Sequence, residues 1–164
     1  IVPEFNLHEE YWKIYTKSEI QPPQYFDKDS VVERSIIGEG TDIYGKVYNS
    51  VIGCGVTIGK GAVIRDSIIM NQTHIGDNCE ISKAIIAEEA RIGSNVRLGV
   101  GEEAPNDTAP HIYNHGMVTV GERSVIPDGV SVGRNSVIFG TTTAKDYTDG
   151  SLASGKTLIK AGEQ

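Results

Sequence analysis

Aromatic residues, cysteines and long apolar runs are all scarce in this sequence of 164 residues. Only 7% of the residues are aromatic, and the two cysteines, Cys54 and Cys79, stand 25 positions apart with no CxxC spacing. That spacing indicates neither a disulfide scaffold nor a zinc site. The longest apolar runs are three or four residues, whereas a membrane-spanning helix needs roughly 20. The sequence therefore predicts no membrane partner.

Basic charge is scarce as well. The chain carries 15 Lys and Arg against 22 Asp and Glu, a formal net charge of -7. Proteins that bind nucleic acid through its backbone neutralise the phosphates with an excess of Lys and Arg, so the sequence predicts no nucleic-acid partner. The first residues, Ile1–Glu4, lack the basic cluster and apolar run of a secretory signal. We therefore expect a cytoplasmic protein.

Glycine is abundant by contrast, with 19 residues, and Ile and Val dominate the aliphatic content. A helical bundle would contain more Leu and Ala and far fewer Gly, so that class is excluded. The length falls within the roughly 100–200 residues of an ordinary domain. We expect a single domain of another class.

Four similar segments recur along the chain, and their first residues are 15, 17 and 17 positions apart. The segments are Ser35–Gly38, Ser50–Gly53, Ser67–Met70 and Ala84–Ala87. Aliphatic anchors return at steps of six, six and five residues, as in the series Ile52, Ile58, Ile64 and Ile69. A period of six belongs neither to a helix nor to a simple alternating strand. It predicts an all-β hexapeptide solenoid, in which three short strands and three turns form each coil of about 18 residues.

The repeat also predicts which side chains face inward. The anchor and the small residue two positions before it are expected to fill the bore, so the residue between them lies on an outer face. Outward residues one coil apart form columns at the spacing of adjacent strands, roughly 4.8 Å. One column is wholly aliphatic: Ile36, Val51, Ile68 and Ile85. These four residues are candidates for an interface with another domain or subunit, and the alternative is cover by the N-terminal segment or the C-terminal tail.

The repeat is flanked and interrupted by irregular sequence. Asn6–Tyr15 is compatible with a short helix, whereas the prolines of Gln21–Gln24 impose an extended approach to the first coil. We assign residues 1–30 to a lead-in and residues 31–164 to a β-helix domain with an inserted loop at 101–116 and a tail at 139–164. A long irregular loop in a compact domain tends to be functional. Because the chain opens on a linker without an initiator Met, we expect it to belong to a longer polypeptide.

One motif in the tail matches a nucleotide-binding consensus. Gly150–Thr157 satisfies the phosphate-loop pattern GxxxxGK[ST]. That loop works only between a buried strand and a helix whose N-terminus faces the phosphates. Only seven residues follow Thr157, so we expect no nucleotide site there.

Three histidines raise two catalytic alternatives. His74, His111 and His115 match in number the ligands of a zinc carbonic anhydrase built on a β-helix, but two of them lie in the inserted loop rather than on stacked coils. The other alternative is a stand-alone hexapeptide acyltransferase in which His111 or His115 acts as general base. Surface residues without a catalytic role are the third interpretation.

Several stretches of the chain resemble a known family. They are the lead-in Leu7–Thr16 with Pro22–Tyr25, the coil Asp66–Met70, and Ile112–Gly116 leading to Val120. Together these stretches resemble the C-terminal region of bacterial glucose-1-phosphate adenylyltransferase, the ADP-glucose pyrophosphorylase of glycogen biosynthesis. The lead-in combined with Asp-Ser-Ile-Ile-Met is the specific part of the resemblance.

The resemblance implies a left-handed β-helix that serves oligomer assembly, as a homo- or hetero-oligomer that is tetrameric in the family. In that family a separate N-terminal domain makes ADP-glucose and pyrophosphate from ATP and glucose 1-phosphate with Mg²⁺. The two domains together provide allosteric control by glycolytic intermediates and adenine nucleotides. This chain has no GxGxRL-type motif, so we expect it to be inactive alone, with no catalytic residue, cofactor or metal ligand of its own.

The resemblance also implies a sugar-phosphate effector near the C-terminus. Activators of related enzymes contact this region, which makes Lys145, Lys156 and Lys160 candidates for effector binding, with Arg134 as a further basic group. The alternative is solvated surface charge. The leading hypothesis is a regulatory and assembly domain whose aliphatic column docks on its own catalytic domain or on another subunit.

Overall fold

The computed structural model describes Tyr11 and residues 20–160. Apart from Tyr11, the segment Asn6–Tyr15, for which the sequence is compatible with a short helix, lies outside these described residues. Within them the secondary structure consists of twenty short strands and one turn of 3₁₀ helix at Ala144–Asp146. No helix in the described part of the chain has the length and hydropathy needed to cross a lipid bilayer.

The strands follow one another at short, regular intervals. In chain order they are β1 Tyr25–Phe26, β2 Val31–Glu33, β3 Ile36–Ile37, β4 Asp42–Ile43, β5 Lys46–Tyr48, β6 Val51–Ile52, β7 Thr57–Ile58, β8 Val63–Arg65, β9 Ile68–Ile69, β10 His74–Ile75, β11 Glu80–Ser82, β12 Ala84–Ile86, β13 Arg91–Ile92, β14 Arg97–Val100, β15 Val118–Val120, β16 Val125–Ile126, β17 Ser131–Gly133, β18 Val137–Phe139, β19 Ser151–Leu152 and β20 Thr157–Ile159.

Every third strand pairs in parallel with its predecessor, which divides the strands among three sheets. Face A has the order β1-β4-β7-β10-β13-β16, face B has β2-β5-β8-β11-β14-β17-β19, and face C has β3-β6-β9-β12-β15-β18-β20. Three successive strands make one coil, so the described residues form six full coils and a seventh that lacks a face A strand. The predicted all-β hexapeptide solenoid is confirmed, and its left-handed winding stays a prediction.

The bore of the solenoid is filled as the repeat predicts. On face A the anchors Ile58, Ile75 and Ile92 stack directly upon one another, and each is at most 1% exposed. The small residues two positions before anchors are buried too, as Ala62 and Cys79 show with 0% exposure. Burial of one such Ile contributes about 1.5–3 kcal/mol, so the regular core supplies the main stabilising free energy.

The corner between face A and face B is held by a ladder of side chains at equivalent positions. The Lys60 N–H donates to Asp77 Oδ1 (2.8 Å), the Asp77 N–H to Ser94 Oγ (3.2 Å), and the Ser94 N–H to Asp128 Oδ1 (2.7 Å). Each turn thus satisfies an amide of the turn above it. This pattern explains why short polar residues recur at the position after the corner glycine.

The solenoid extends further at both ends than the hexads alone indicate. Strand β1 lies within the lead-in and pairs with β4, while β19 and β20 of the tail pair with β17 and β18. The final coil replaces its face A strand by the 3₁₀ turn and by Tyr147, which is 5% exposed. The Tyr147 hydroxyl lies 2.7 Å from Thr142 Oγ1, so the ring fills the bore while its polar tip is satisfied.

Candidate docking face

Face C carries the aliphatic column, formed by Ile36, Val51, Ile68 and Ile85. The register pairs the four residues in that order on adjacent strands, so the predicted stacking is confirmed. They point outward because each stands between a small inward residue and a buried anchor. Ile36, Val51 and Ile68 are 45%, 43% and 42% exposed, and Ile85 is half-buried. The first four coils therefore present an open apolar stripe to solvent.

The last coils of face C are different. Beyond Ile85 the register continues through Thr119, Val137 and Thr157. Val137 holds an outward position and yet is only 7% exposed. The loop 101–116 enters between β14 and β15 and reaches these coils, where Asn106 Nδ2 donates to Thr157 Oγ1 (3.1 Å). The chain thus covers with its own loop the lower part of the face that it leaves open above.

Two buried asparagines hold this loop in place. Asn106 is 3% exposed; its Oδ1 accepts from the Ala109 N–H (2.9 Å) and its Nδ2 donates to Asn135 O (2.9 Å). Asn135 is 5% exposed; its Oδ1 accepts from the Gly116 N–H (2.8 Å) and its Nδ2 donates to Ala104 O (3.0 Å). The sequence analysis found the loop but missed both anchors. The available signal was the Asn-Asp-Thr turn sequence at 106–108.

The structure brings two of the four effector candidates together. Arg134 and Lys156 both lie at the corner between face B and face C in consecutive coils, because the Gly155 N–H donates to Arg134 O (2.8 Å). Arg134 Nη1 lies 3.5 Å from Glu103 Oε1, and Lys156 Nζ lies 3.5 Å from Asp107 Oδ2. Both cations therefore face carboxylates of the loop 101–116.

The other two candidates lie apart from that pair. Lys160 follows β20, at the opposite end of this face C strand, and pairs with Asp146. The hydrogen bond from Lys160, with further hydrogen bonds from Thr143, lowers the pKa of Asp146 to about 2. Lys145 is exposed on the 3₁₀ turn. The four cations do not form one cluster.

The three histidines do not converge either. His74 is exposed on face A, whereas His111 and His115 are exposed in the loop inserted between face B and face C. In the described part of the chain, no group of three or more His, Cys, Asp or Glu side chains is placed to hold a metal ion. The geometry therefore gives no support to the zinc alternative.

The phosphate-loop motif is an ordinary corner of the solenoid. Its first residues form β19 and its last residue begins β20, so a strand stands where a nucleotide-binding loop needs a helix. The Gly155 N–H is used within the coil stack. The expectation that Gly150–Thr157 is no nucleotide site agrees with this geometry.

The fold and the open apolar face define a hexapeptide-repeat β-solenoid built for docking. The family model described as the EIF2B subunit epsilon LbH domain matches residues 12–102, more than half of the chain. The chain belongs to this family of LbH domains.

Curated relatives narrow the comparison. Glucose-1-phosphate adenylyltransferase from Lachnospira eligens is 62% identical over 99% of this chain and 38% of its own length. The same enzyme from Acetivibrio thermocellus is 46% identical over 99% and 38%. These matches confirm the resemblance read from the lead-in and the Asp66–Met70 coil, and the chain spans little more than a third of these relatives.

Solved structures add a distant likeness. A hexapeptide transferase family protein from Anaplasma phagocytophilum aligns with a TM-score of 0.46 at 17% identity, covering 87% of this chain and 75% of that one. A likeness at this level carries no argument about function.

Proposed function

We propose that this chain is the assembly and regulatory domain of a glucose-1-phosphate adenylyltransferase. In this proposal a separate catalytic domain of the same polypeptide converts ATP and glucose 1-phosphate into ADP-glucose and pyrophosphate with Mg²⁺, in the cytoplasm, for glycogen biosynthesis. The observation that carries the proposal is the 62% identity to the Lachnospira enzyme along 99% of this chain. The chain itself supplies no active site and is inactive alone.

The distribution of apolar exposure supports a docking role. The largest exposed side chains of the first coil are Tyr25 (49%), Phe26 (47%) and Ile36 (45%), and the aliphatic column continues from Ile36 through the next coils. Apolar surface removed from water contributes roughly 25 cal/mol per Å², so a partner that covers this stripe gains binding free energy. The partner in this proposal is the catalytic domain or a neighbouring subunit of a homo- or hetero-tetramer.

The docking role is tested by charge substitutions in the full-length subunit. Ile68→Asp with Ile85→Asp places two carboxylates in the column, and we expect sedimentation velocity to show smaller assemblies and effector response to fall. Val63→Asp is the matched control, because Val63 is a half-buried outward aliphatic residue on face B. Unchanged assembly and regulation in the double variant would refute the docking role.

The parent activity has its own test. Full-length subunit should form ADP-glucose from ATP and glucose 1-phosphate, whereas the 164-residue chain should not. Absence of this activity from the assembled full-length protein would contradict the adenylyltransferase assignment.

The effector role is proposed for the cations near the C-terminus. Substitution of Arg134 and Lys156 by Gln should weaken activation by a sugar phosphate more than substitution of Lys145 and Lys160, because only the first two lie side by side. Equal effects of the two double variants would contradict this ranking.

A further inference from the structure

Two ion pairs join the loop 101–116 to the last two coils. In both pairs, Glu103 with Arg134 and Asp107 with Lys156, the carboxylate belongs to the loop and the cation to the solenoid corner. Partial burial raises the pKa of Asp107, but hydrogen bonds involving Thr157, Thr108 and Lys156 outweigh it, and the pKa is lowered overall. Carboxylates of the chain itself therefore occupy the two adjacent cations.

The two cations are spaced for a single oxyanion. Their corners stack in consecutive coils through the hydrogen bond from the Gly155 N–H to Arg134 O, at roughly the 4.8 Å of adjacent strands. Arg and Lys both form charge-assisted hydrogen bonds with phosphate oxygens. An exposed ion pair contributes only about 0–1 kcal/mol, so a phosphate group can compete with Glu103 and Asp107 for Arg134 and Lys156.

The loop also covers part of face C. Asn106 lies between Glu103 and Asp107 in the chain and contacts Thr157, the neighbour of Val137 in the outward column. Loss of the two flanking ion pairs weakens the attachment of the loop at this point. Val137 then becomes accessible as an extension of the aliphatic column toward the last coils.

We propose that the loop 101–116 is an anion-operated cover. A ligand that carries a phosphate group binds Arg134 and Lys156 in place of Glu103 and Asp107, loosens the loop and uncovers the lower end of face C. This inference rests on the proposed regulatory function, since it links effector binding to the docking face. In the absence of the anion, the two carboxylates hold the cover closed.

The first experiment measures binding of inorganic phosphate to the 164-residue chain by isothermal titration calorimetry at constant ionic strength. Glu103→Gln with Asp107→Asn removes the internal competitors, so this double variant should bind phosphate at least about threefold more tightly than the natural chain, a gain within reach of two exposed ion pairs. Glu102→Gln with Asp149→Asn is the matched control, because it removes the same charge without touching either pair.

The second experiment follows amide hydrogen exchange of Asp107, whose N–H donates to Gly155 O (2.8 Å). Saturating phosphate should accelerate this exchange several-fold relative to sodium chloride of equal ionic strength. The acceleration should disappear in Arg134→Gln with Lys156→Gln. Equal phosphate affinity in the two carboxyl double variants, no phosphate binding at all, or unchanged exchange of the Asp107 amide would each overturn the proposal.

Both experiments use the chain alone and require no assembly. Failure of the Ile68 and Ile85 substitutions to alter assembly would leave the phosphate measurements interpretable. Conversely, an unresponsive loop would leave the docking experiment unaffected.

Discussion

Gly76 stands so close to Gly93 in the next coil that a Cβ atom on Gly76 would lie 2.6 Å from the Gly93 carbonyl carbon. The contact is with backbone, which cannot rotate away as a side chain can. We therefore expect Gly76→Ala to lower the free energy of unfolding by about 1–3 kcal/mol, the usual cost of overpacking. Urea unfolding followed by circular dichroism measures this change.

A glycine at another corner separates packing from backbone conformation. Gly129 has a φ of +72°, and a Cβ there would meet no atom within 4 Å. Gly129→Asn should change stability by less than about 1 kcal/mol, because Asn tolerates the left-handed region. If Gly129→Asn were as destabilising as Gly76→Ala, close packing between coils would not explain the loss.

Asp146 should make stability depend on acid pH. Its carboxylate accepts hydrogen bonds from Lys160 and Thr143, which lower its pKa to about 2. Because this folded-state pKa lies below the unfolded value of about 3.9, the stabilisation is present above about pH 4 and is lost as the pH falls toward 2. Between these pH values the natural chain should lose more stability than Asp146→Asn in urea unfolding. Parallel pH profiles for the two proteins would contradict the prediction.

The two cysteines should differ in reactivity. Cys79 is 0% exposed, and burial, followed by the charges of Asp77 and Asp128, raises the pKa of its thiol. Cys54 is half-buried. A disulfide reagent such as DTNB should therefore label Cys54 in the folded chain and Cys79 only on unfolding, because the thiolate is the reactive form. Rapid labelling of folded Cys54→Ser would show that Cys79 is accessible.

The sequence was sufficient for the features that repeat. Ile36, Val51 and Ile68 could be placed in one column because each coil repeats the same short pattern and pairs only with its neighbours. The inward positions followed from the same pattern, since one hexad fixes which side chains enter the bore.

Contacts that skip coils were beyond the reach of the pattern. Asn106 reaches Asn135 and Thr157 across 29 and 51 positions, and no local periodicity specifies such pairs. The tail strands were missed for a different reason. The 3₁₀ turn and Tyr147 replace a face A strand, so Leu152 no longer follows Ile138 at a multiple of the six-residue step.

The loop 101–116 leaves the solenoid in the fifth coil and is bonded to residues of the seventh. A simple solenoid loses coils one at a time from a free end, since each coil touches only its neighbours. Here the pairs Asp107–Lys156 and Asn106–Thr157 tie the ends of a three-coil block together. Fraying from the C-terminal side must break this clasp first, so the last three coils are expected to open as one cooperative unit.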